Sequence, residues 1–354
     1  MDERSFSGTV TRATGSWYDV DTGGAVLRCR IRGRMRLKGV RSTSPVVVGD
    51  RVHGSGASDG SWVIERVEPR RNYVIRRASN LSKESHIIAA NIDRALLLVT
   101  LAEPETAPEF VDRFLVTCEA YKVPATLLLA KSDIQDPAAM EAFRAVYEAA
   151  GYPVLEVSAR TGAGVEEVRT LLGGRTTLLA GNSGVGKSTL VQTVDPSLDI
   201  RTGEISDSHH KGRHTTTFST MYPLADGGRI IDTPGIKGFG LIDIDGAELW
   251  HYFPEMMRLA PGCRFYNCTH VHEPGCAVRD AVERGGWPGR ATRATSKSWT
   301  KMTNTGSDRT AARIACLAEC MTGERFETLR RAASLRTRYM TILAENTYHP
   351  QNAA

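Results

Sequence analysis

The sequence predicts a multidomain α/β protein. A small, OB-like β-barrel comes first, a mostly parallel, doubly wound sheet second, and a zinc-binding helical module last. Three observations predict this. A glycine-rich loop ending in Lys-Ser, Gly181 to Ser188, lies between an apolar strand pattern and a helical pattern. A run in which cations alternate with apolar residues, Leu27 to Lys38, lies in a stretch rich in short strands and turns. Three cysteines and two histidines crowd between positions 263 and 276. The boundaries expected from the composition shifts are 1–72, 73–245 and 246–354.

The whole-chain numbers narrow the class. At 354 residues the chain can bury a sizeable core, and its net charge of +5 argues for nucleic acid only where the charge is clustered. The longest apolar stretch, Ala95 to Val99, has strand length and falls far short of a membrane span. Met1 to Ser5 opens polar with no apolar core behind it. A cytoplasmic location with no membrane partner is expected, and in that reducing setting the crowded cysteines favour a metal over disulfides.

In the first segment, glycines and Pro45 punctuate β-rich runs such as Thr9-Val10-Thr11 and Trp62-Val63-Ile64. Leu27, Cys29, Ile31, Met35 and Leu37 alternate with Arg28, Arg30, Arg32, Arg34, Arg36 and Lys38, and Gly33 interrupts the apolar side. Period-2 alternation puts the two sets on opposite faces of a strand or hairpin. Six like charges on one face repel one another, so a polyanion partner is expected for that face. The alternative is a solvated basic strand. Small barrels of this kind often bind oligonucleotides. Arg41, Arg70, Arg71, Arg76 and Arg77 are expected to add to the charge.

From about residue 85 strand and helix patterns alternate. Strands are expected at 95–100, 125–130 and 154–157, and helices at 108–120, 138–150 and 165–172. Such βαβ units build a parallel sheet that binds ligands at the C-terminal ends of its strands. Ala130-Lys131-Ser132-Asp133 follows the second strand. The Asp133 carboxylate can accept from the N1–H and the exocyclic amine of guanine, a pairing adenine does not offer, and the Lys131 stem can cover the base. Ser158-Ala159 follows the third strand and brings a backbone N–H within reach of the guanine O6. A capping aspartate is the ordinary reading of Asp133 alone.

Gly181-Asn182-Ser183-Gly184-Val185-Gly186-Lys187-Ser188 fits G-x-x-x-x-G-K-[ST] at every fixed position. The glycines let successive N–H groups converge on phosphate oxygens, Lys187 supplies charge to the β- and γ-phosphates, and the Ser188 hydroxyl suits Mg²⁺. Downstream, Gly212-Arg213-His214-Thr215-Thr216-Thr217 precedes a strand at Arg229 to Ile231, which ends in Asp232-Thr233-Pro234-Gly235. Asp232 is placed to hold the Mg²⁺ shell and the Gly235 N–H to approach the γ-phosphate. A threonine of the triplet, Thr216 being the candidate, would close over the metal as an order–disorder switch. Ile236 stands where many GTPases place a glutamine that orients the attacking water, so slow intrinsic hydrolysis is expected. His214 is the internal candidate for that orienting role; a structural or RNA-contacting role is the alternative.

Cys263, Cys268, His270 and Cys276 supply three thiolates and one imidazole, the set of a closed, structural, tetrahedral zinc site. His272 is a possible substitute for His270. Cys316 and Cys320, one helical turn apart, find no nearby group to complete a second set and read as buried small hydrophobes.

The order of these motifs is unusual: base-reading loops first, then the phosphate loop, then the threonine segment and Asp232. With a basic β module before it and the Cys/His cluster after it, the chain resembles the ribosome small-subunit-dependent GTPase A family over about residues 5 to 284. In that family the central domain is a circularly permuted P-loop GTPase. The resemblance implies GTP hydrolysis stimulated by the 30S subunit and its 16S rRNA, a role in late 30S maturation, and release on hydrolysis. It also implies Gly181 to Thr189 as the phosphate and Mg²⁺ site, Lys131, Asp133, Ser158 and Ala159 as the guanine site, and Thr215 to Thr217 with Asp232 as switches. The family's zinc spacing matches His270. It has Asn where this chain has Ala130, a loss of about 1 kcal/mol of guanine affinity. One zinc ion, Mg²⁺ with GTP, and a monomer are the corresponding expectations.

Between residues 284 and 338 stand twelve Lys and Arg against four acids. That charge suits an RNA-contacting arm or a disordered overhang. The alternative function for the whole chain is a non-catalytic, nucleotide-dependent RNA-binding chaperone, which Ile236 and Ala130 keep open.

Overall fold

Five short strands close on themselves at the start of the chain: β1 (Ser5–Ala13), β2 (Tyr18–Asp21), β3 (Val26–Ile31), β4 (Arg51–Gly56) and β5 (Trp62–Val67). β1 pairs antiparallel with both β2 and β4, β2 with β3, and β4 with β5, while β3 and β5 pair in parallel. This ring of pairings leaves no free edge, so the expected small barrel is present. The computed structural model describes residues 5–31, 45–57, 59–77, 85–198, 219–232, 248–270 and 273–283. Val10, Val20, Cys29, Val52 and Ile64 fill the barrel. On β3 the expected alternation holds, with Cys29 buried between exposed Arg28 and Arg30; Arg32 to Lys38 lie outside the described residues.

Two of the arginines expected to add to the local charge, Arg70 and Arg71, are held in ion pairs. Arg70 is 7% exposed and grips the fully buried Asp50 with both Nε and Nη2 at 2.7 Å. Asp50 Oδ2 also accepts from the Val47 N–H. A carboxylate sealed in a barrel rim needs such partners, and burial cost, not RNA, decides where Arg70 points. Arg71 donates from Nη2 to Asp93 Oδ1 at 2.6 Å.

A hairpin not anticipated from the sequence follows, β6 (Tyr73–Arg77) against β7 (Ser85–Ala90). Its apolar residues Val74 and Ala89 join the core of the next sheet, while Ile75, Ile87 and Ala90 pack with Val47.

The central sheet contains β8 (Arg94–Val99), β9 (Ala125–Ala130), β10 (Val154–Val157), β11 (Thr176–Gly181), β12 (Thr220–Pro223) and β13 (Arg229–Asp232). Their order is β10-β9-β8-β11-β13-β12, parallel except for β12. β12 pairs at Thr220 with Arg12 of β1, which joins barrel and sheet. The helices are α1 (Pro108–Ala120), α2 (Pro137–Ala150), α3 (Val165–Leu172) and α4 (Lys187–Val194). Strand alternation sorts them into two layers. Leu97, Val99, Leu127 and Leu129 face α1 and α2, where Phe114, Leu115 and Tyr147 are buried. Leu96, Leu98 and Leu128 face α3 and α4, against Val168, Leu172 and Leu190. That is the doubly wound arrangement expected.

Beyond Glu248 come a 3₁₀ turn (Leu249–Tyr252), α5 (Pro254–Leu259), the Cys/His segment and α6 (Ala277–Glu283). Leu249, Phe253 and Met256 pack on Val116 of α1. Arg258 donates from Nη2 to the carbonyls of Ala149 and Ala150 at 2.7 and 3.0 Å, capping the C-terminus of α2. No described helix is long and apolar enough to cross a membrane.

Candidate functional site

The phosphate loop leaves β11 at Gly181 and enters α4 at Lys187. Gly181 has φ 150°, and a Cβ there would stand 2.9 Å from the Leu98 carbonyl oxygen and 3.0 Å from Val185 Cγ2. Gly186 precedes α4 at φ 101°, a left-handed conformation that aims the first N–H groups of α4 into the loop. Lys187 Nζ lies across the loop, donating to the carbonyls of Gly181 and Asn182 at 2.8 and 2.9 Å. Burial pushes its pKa down, and the Asp232 carboxylate opposes that shift. Asp232 ends β13 beside Leu179 of β11, 3% exposed. Ser188 Oγ is buried with no hydrogen-bond partner among the described residues. A buried hydroxyl in that state is costly unless a cation or water takes its lone pairs, so Ser188 and Asp232 fit the Mg²⁺ that accompanies a triphosphate.

The base-reading residues meet at the ends of β9 and β10. Ala130 is buried, and Lys131 turns at φ 57° to place Nζ 2.6 Å from the Glu103 carbonyl oxygen. Ser132 donates its N–H to the Val157 carbonyl. Asp133 Oδ1 accepts from the Ser158 hydroxyl at 2.6 Å, and Oδ2 accepts from Arg160 Nε at 2.8 Å. The Ser158 hydrogen bond, then Arg160, hold the Asp133 carboxyl below the usual carboxylate range. Ala159 packs against the α3–α4 side of the sheet.

At the C-terminal end, the ligand atoms of Cys263, Cys268, His270 and Cys276 all lie within 4.8 Å of one another. His270 Nδ1 is 3.4 Å from Cys276 Sγ and 3.6 Å from Cys263 Sγ, and those two sulfurs are 4.0 Å apart. A tetrahedron with arms of about 2.3 Å to sulfur and about 2.0 Å to nitrogen has edges of about 3.5 to 3.8 Å, so the set fits one zinc ion. The cysteines are free of disulfides. His272, the possible substitute for His270, lies outside the described residues, as do His214, Thr215, Thr216, Thr217, Gly235, Ile236, Cys316 and Cys320.

Comparison with known proteins gives a consistent result. Residues 67–242 match the RsgA GTPase family model, and residues 7–61 match the RsgA N-terminal domain. A small ribosomal subunit biogenesis GTPase RsgA of Phocaeicola vulgatus is 53% identical over 281 residues, covering 78% of this chain and 91% of that protein. The chain belongs to the RsgA GTPase family. It is a GTP-binding, GTP-hydrolysing enzyme. The RsgA of Porphyromonas gingivalis is 54% identical over 287 residues, covering 78% of this chain and 91% of the relative. Among solved structures, YjeQ from Thermotoga maritima superimposes with a TM-score of 0.64 at 28% identity, covering 90% of this chain and 99% of that one. YloQ, a circularly permuted GTPase, superimposes with a TM-score of 0.59 at 25% identity, covering 80% of this chain and 90% of that one.

Several residues of this RsgA-family site carry no motif signature. Gln135 Oε1 accepts from the N–H groups of Leu101 and Ala102 at 3.1 and 3.0 Å, tying the base-reading loop to the loop after β8. Pro104 of that loop stands beside Gly184 of the phosphate loop. Arg160, directly after Ser158-Ala159, was legible by position but not by type. On the barrel, the Arg28 and Arg30 guanidiniums stack on Trp17, with Cζ 4.8 and 4.1 Å from the ring centroid.

Proposed function

We propose that this enzyme is stimulated by the small ribosomal subunit, acts late in 30S maturation, and uses hydrolysis of GTP to leave the subunit. The observation that carries this reading is the permuted order of motifs within one sheet, in relatives named as small ribosomal subunit biogenesis GTPases at more than half identity. In this reading Gly181 to Thr189 bind the phosphates, with Lys187 neutralising charge as the γ-phosphoryl leaves and Ser188 and Asp232 holding Mg²⁺. Asp133, Lys131, Ser158 and Ala159 read guanine. Cys263, Cys268, His270 and Cys276 hold one structural zinc. The barrel face bearing Trp17, Arg28 and Arg30 takes 16S rRNA, since a ring flanked by guanidiniums stacks bases and meets phosphates. The enzyme works in the cytoplasm as a monomer, with slow turnover until the subunit engages the segment that contains His214 and Thr216.

Turnover measured against 30S concentration tests this. Hydrolysis is expected to rise with added subunits, and Lys187→Ala to lower the stimulated rate roughly 100- to 1000-fold, the effect of removing one preorganised stabilising donor. A rate indifferent to 30S would sink the stimulated-GTPase reading in favour of a nucleotide-gated binder.

Asp133→Asn replaces two acceptors by one acceptor and one donor. Guanine nucleotide affinity is expected to fall roughly 10- to 100-fold, while xanthine nucleotides, with a C2 carbonyl in place of the amine, gain. Competition between GDP and XDP measures the exchange; unchanged selectivity would remove Asp133 from the base site. The carboxyl is held below its ordinary value of 3.8 by Ser158 and Arg160 in the folded chain, so its charge is present above that pH and lost only as pH falls through the depressed folded-state value. GDP affinity in the parent chain is therefore expected to persist down to the ordinary carboxylate range.

A further inference from the structure

The edge of the central sheet opposite the phosphate loop carries a row of arginines. Arg94 opens β8, Arg175 directly precedes β11, and Arg229 opens β13. Arg94 is registered with Thr177, and Arg229 with Thr176, on three neighbouring parallel strands. At a strand spacing of about 4.8 Å the row is about 10 Å long.

The carboxylates at this edge are largely committed. Asp93 Oδ1 accepts from Arg71 Nη2 at 2.6 Å, and its Oδ2 accepts from the Thr176 N–H at 2.8 Å. Asp21 Oδ2 stands 3.4 Å from Arg229 Nη2. Asp226 Oδ1 accepts from the Gly228 N–H within the β12–β13 turn. Neither Arg94 nor Arg175 has a carboxylate in salt-bridge contact among the described residues, and Arg94 Nε is buried with no hydrogen-bond acceptor there. The two are close enough that, after burial, Arg175 is the main influence pushing the Arg94 pKa down. The Asp93 carboxylate, which also feels Arg175, offsets part of that shift, but it is shared among Arg71, Arg94 and Arg175. Two guanidiniums with one such carboxylate between them, and one buried N–H without an acceptor among the described residues, gain from a further anion.

We propose that Arg94 and Arg175 form a second RNA-binding site that takes the phosphodiester backbone. A row along strand ends, with exposed Arg175 and an Arg71 side chain 61% exposed beside it, suits successive phosphates of a strand. Being at the far end of the strands from Gly181 and Asp133, it is separate from the nucleotide pocket. The proposal rests on the rRNA-binding reading above and adds to it a contact outside the barrel and the zinc module.

The test is binding of the full chain to isolated small ribosomal subunits across a salt series. The double variant Arg94→Gln/Arg175→Gln is expected to bind roughly 10-fold more weakly, with the slope of log K against log salt reduced by about 1.5 to 2. Its affinity for GDP and its subunit-free hydrolysis stay at the parent values. Arg175→Glu, at an exposed position, is expected to weaken binding in the same direction. Parent-like affinity and slope in both variants, while Arg28→Gln/Arg30→Gln binds weakly, would overturn the second site alone. A parent chain that does not bind subunits would overturn the rRNA reading and this site with it.

Discussion

Replacing Cys276 by serine is expected to unfold the segment around residues 248–283 while leaving GDP binding in place. Apart from the Cys/His set, the described contacts that hold this segment are few, Arg258 on the end of α2 among them. Its two helices are six and seven residues long, and its apolar contacts are a small cluster centred on Leu249, Phe253 and Met256. Helices so short do not persist without tertiary support. A structural zinc ion contributes about 10 to 16 kcal/mol in zinc-finger peptides, far more than such a cluster supplies. Burial raises the Cys276 pKa and pushes that of Cys268 up to about 12, so the thiolates need a cation to exist there at neutral pH. Limited proteolysis is the measurement: new cleavage between residues 248 and 283 in Cys276→Ser, and in the parent chain after chelation, with α1 to α4 intact. A parent-like cleavage pattern in both would mean the ion does not hold the fold.

Asp50→Ala is expected to cost about 3 to 5 kcal/mol, because it strands the buried Arg70 guanidinium without its carboxylate. The Val47 N–H loses its acceptor in the same change. Equilibrium urea unfolding of the barrel reads the loss. The double variant Asp50→Ala/Arg70→Met is expected to recover most of it, since the penalty lies in the unpaired charge and not in the missing bridge. Additive losses in the double variant would show that the two side chains do not act as a pair.

The contrast between Arg28 and Arg70 shows what the sequence could and could not supply. Arg28 sits in a period-2 run, and alternation alone places it on the outer face of β3. Arg70 sits in no periodic element, so its direction depends on a carboxylate twenty residues away that only the closed barrel brings near. The same division runs through the sheet. β9, β10, α1 and α3 have the limits their patterns imply, since apolar runs and helical spacing are local properties. The hairpin β6–β7 and the short β12 are placed by pairing with distant segments, Ala89 with Val48 and Thr220 with Arg12 of β1, and have no independent signature. The phosphate loop, Asp133, Ser158 and the Cys/His set were legible because their chemistry fixes residue type and spacing. Gln135 and Pro104 position those groups through backbone contacts that many residue types can make.

The guanidinium of Arg258 on the last carbonyls of α2 has a mechanical consequence. Asp136 caps the first turn of α2 and follows Asp133 by one turn of chain, while Arg258 closes the other end. Fourteen residues of helix make a stiff rod of about 21 Å. One tip of the rod is thus fixed beside the loop that would face the base, and the other is clamped by α5. Together with the packing of Leu249, Phe253 and Met256 on Val116 of α1, this rod ties the base-reading loop and the Cys/His segment into one stiff frame.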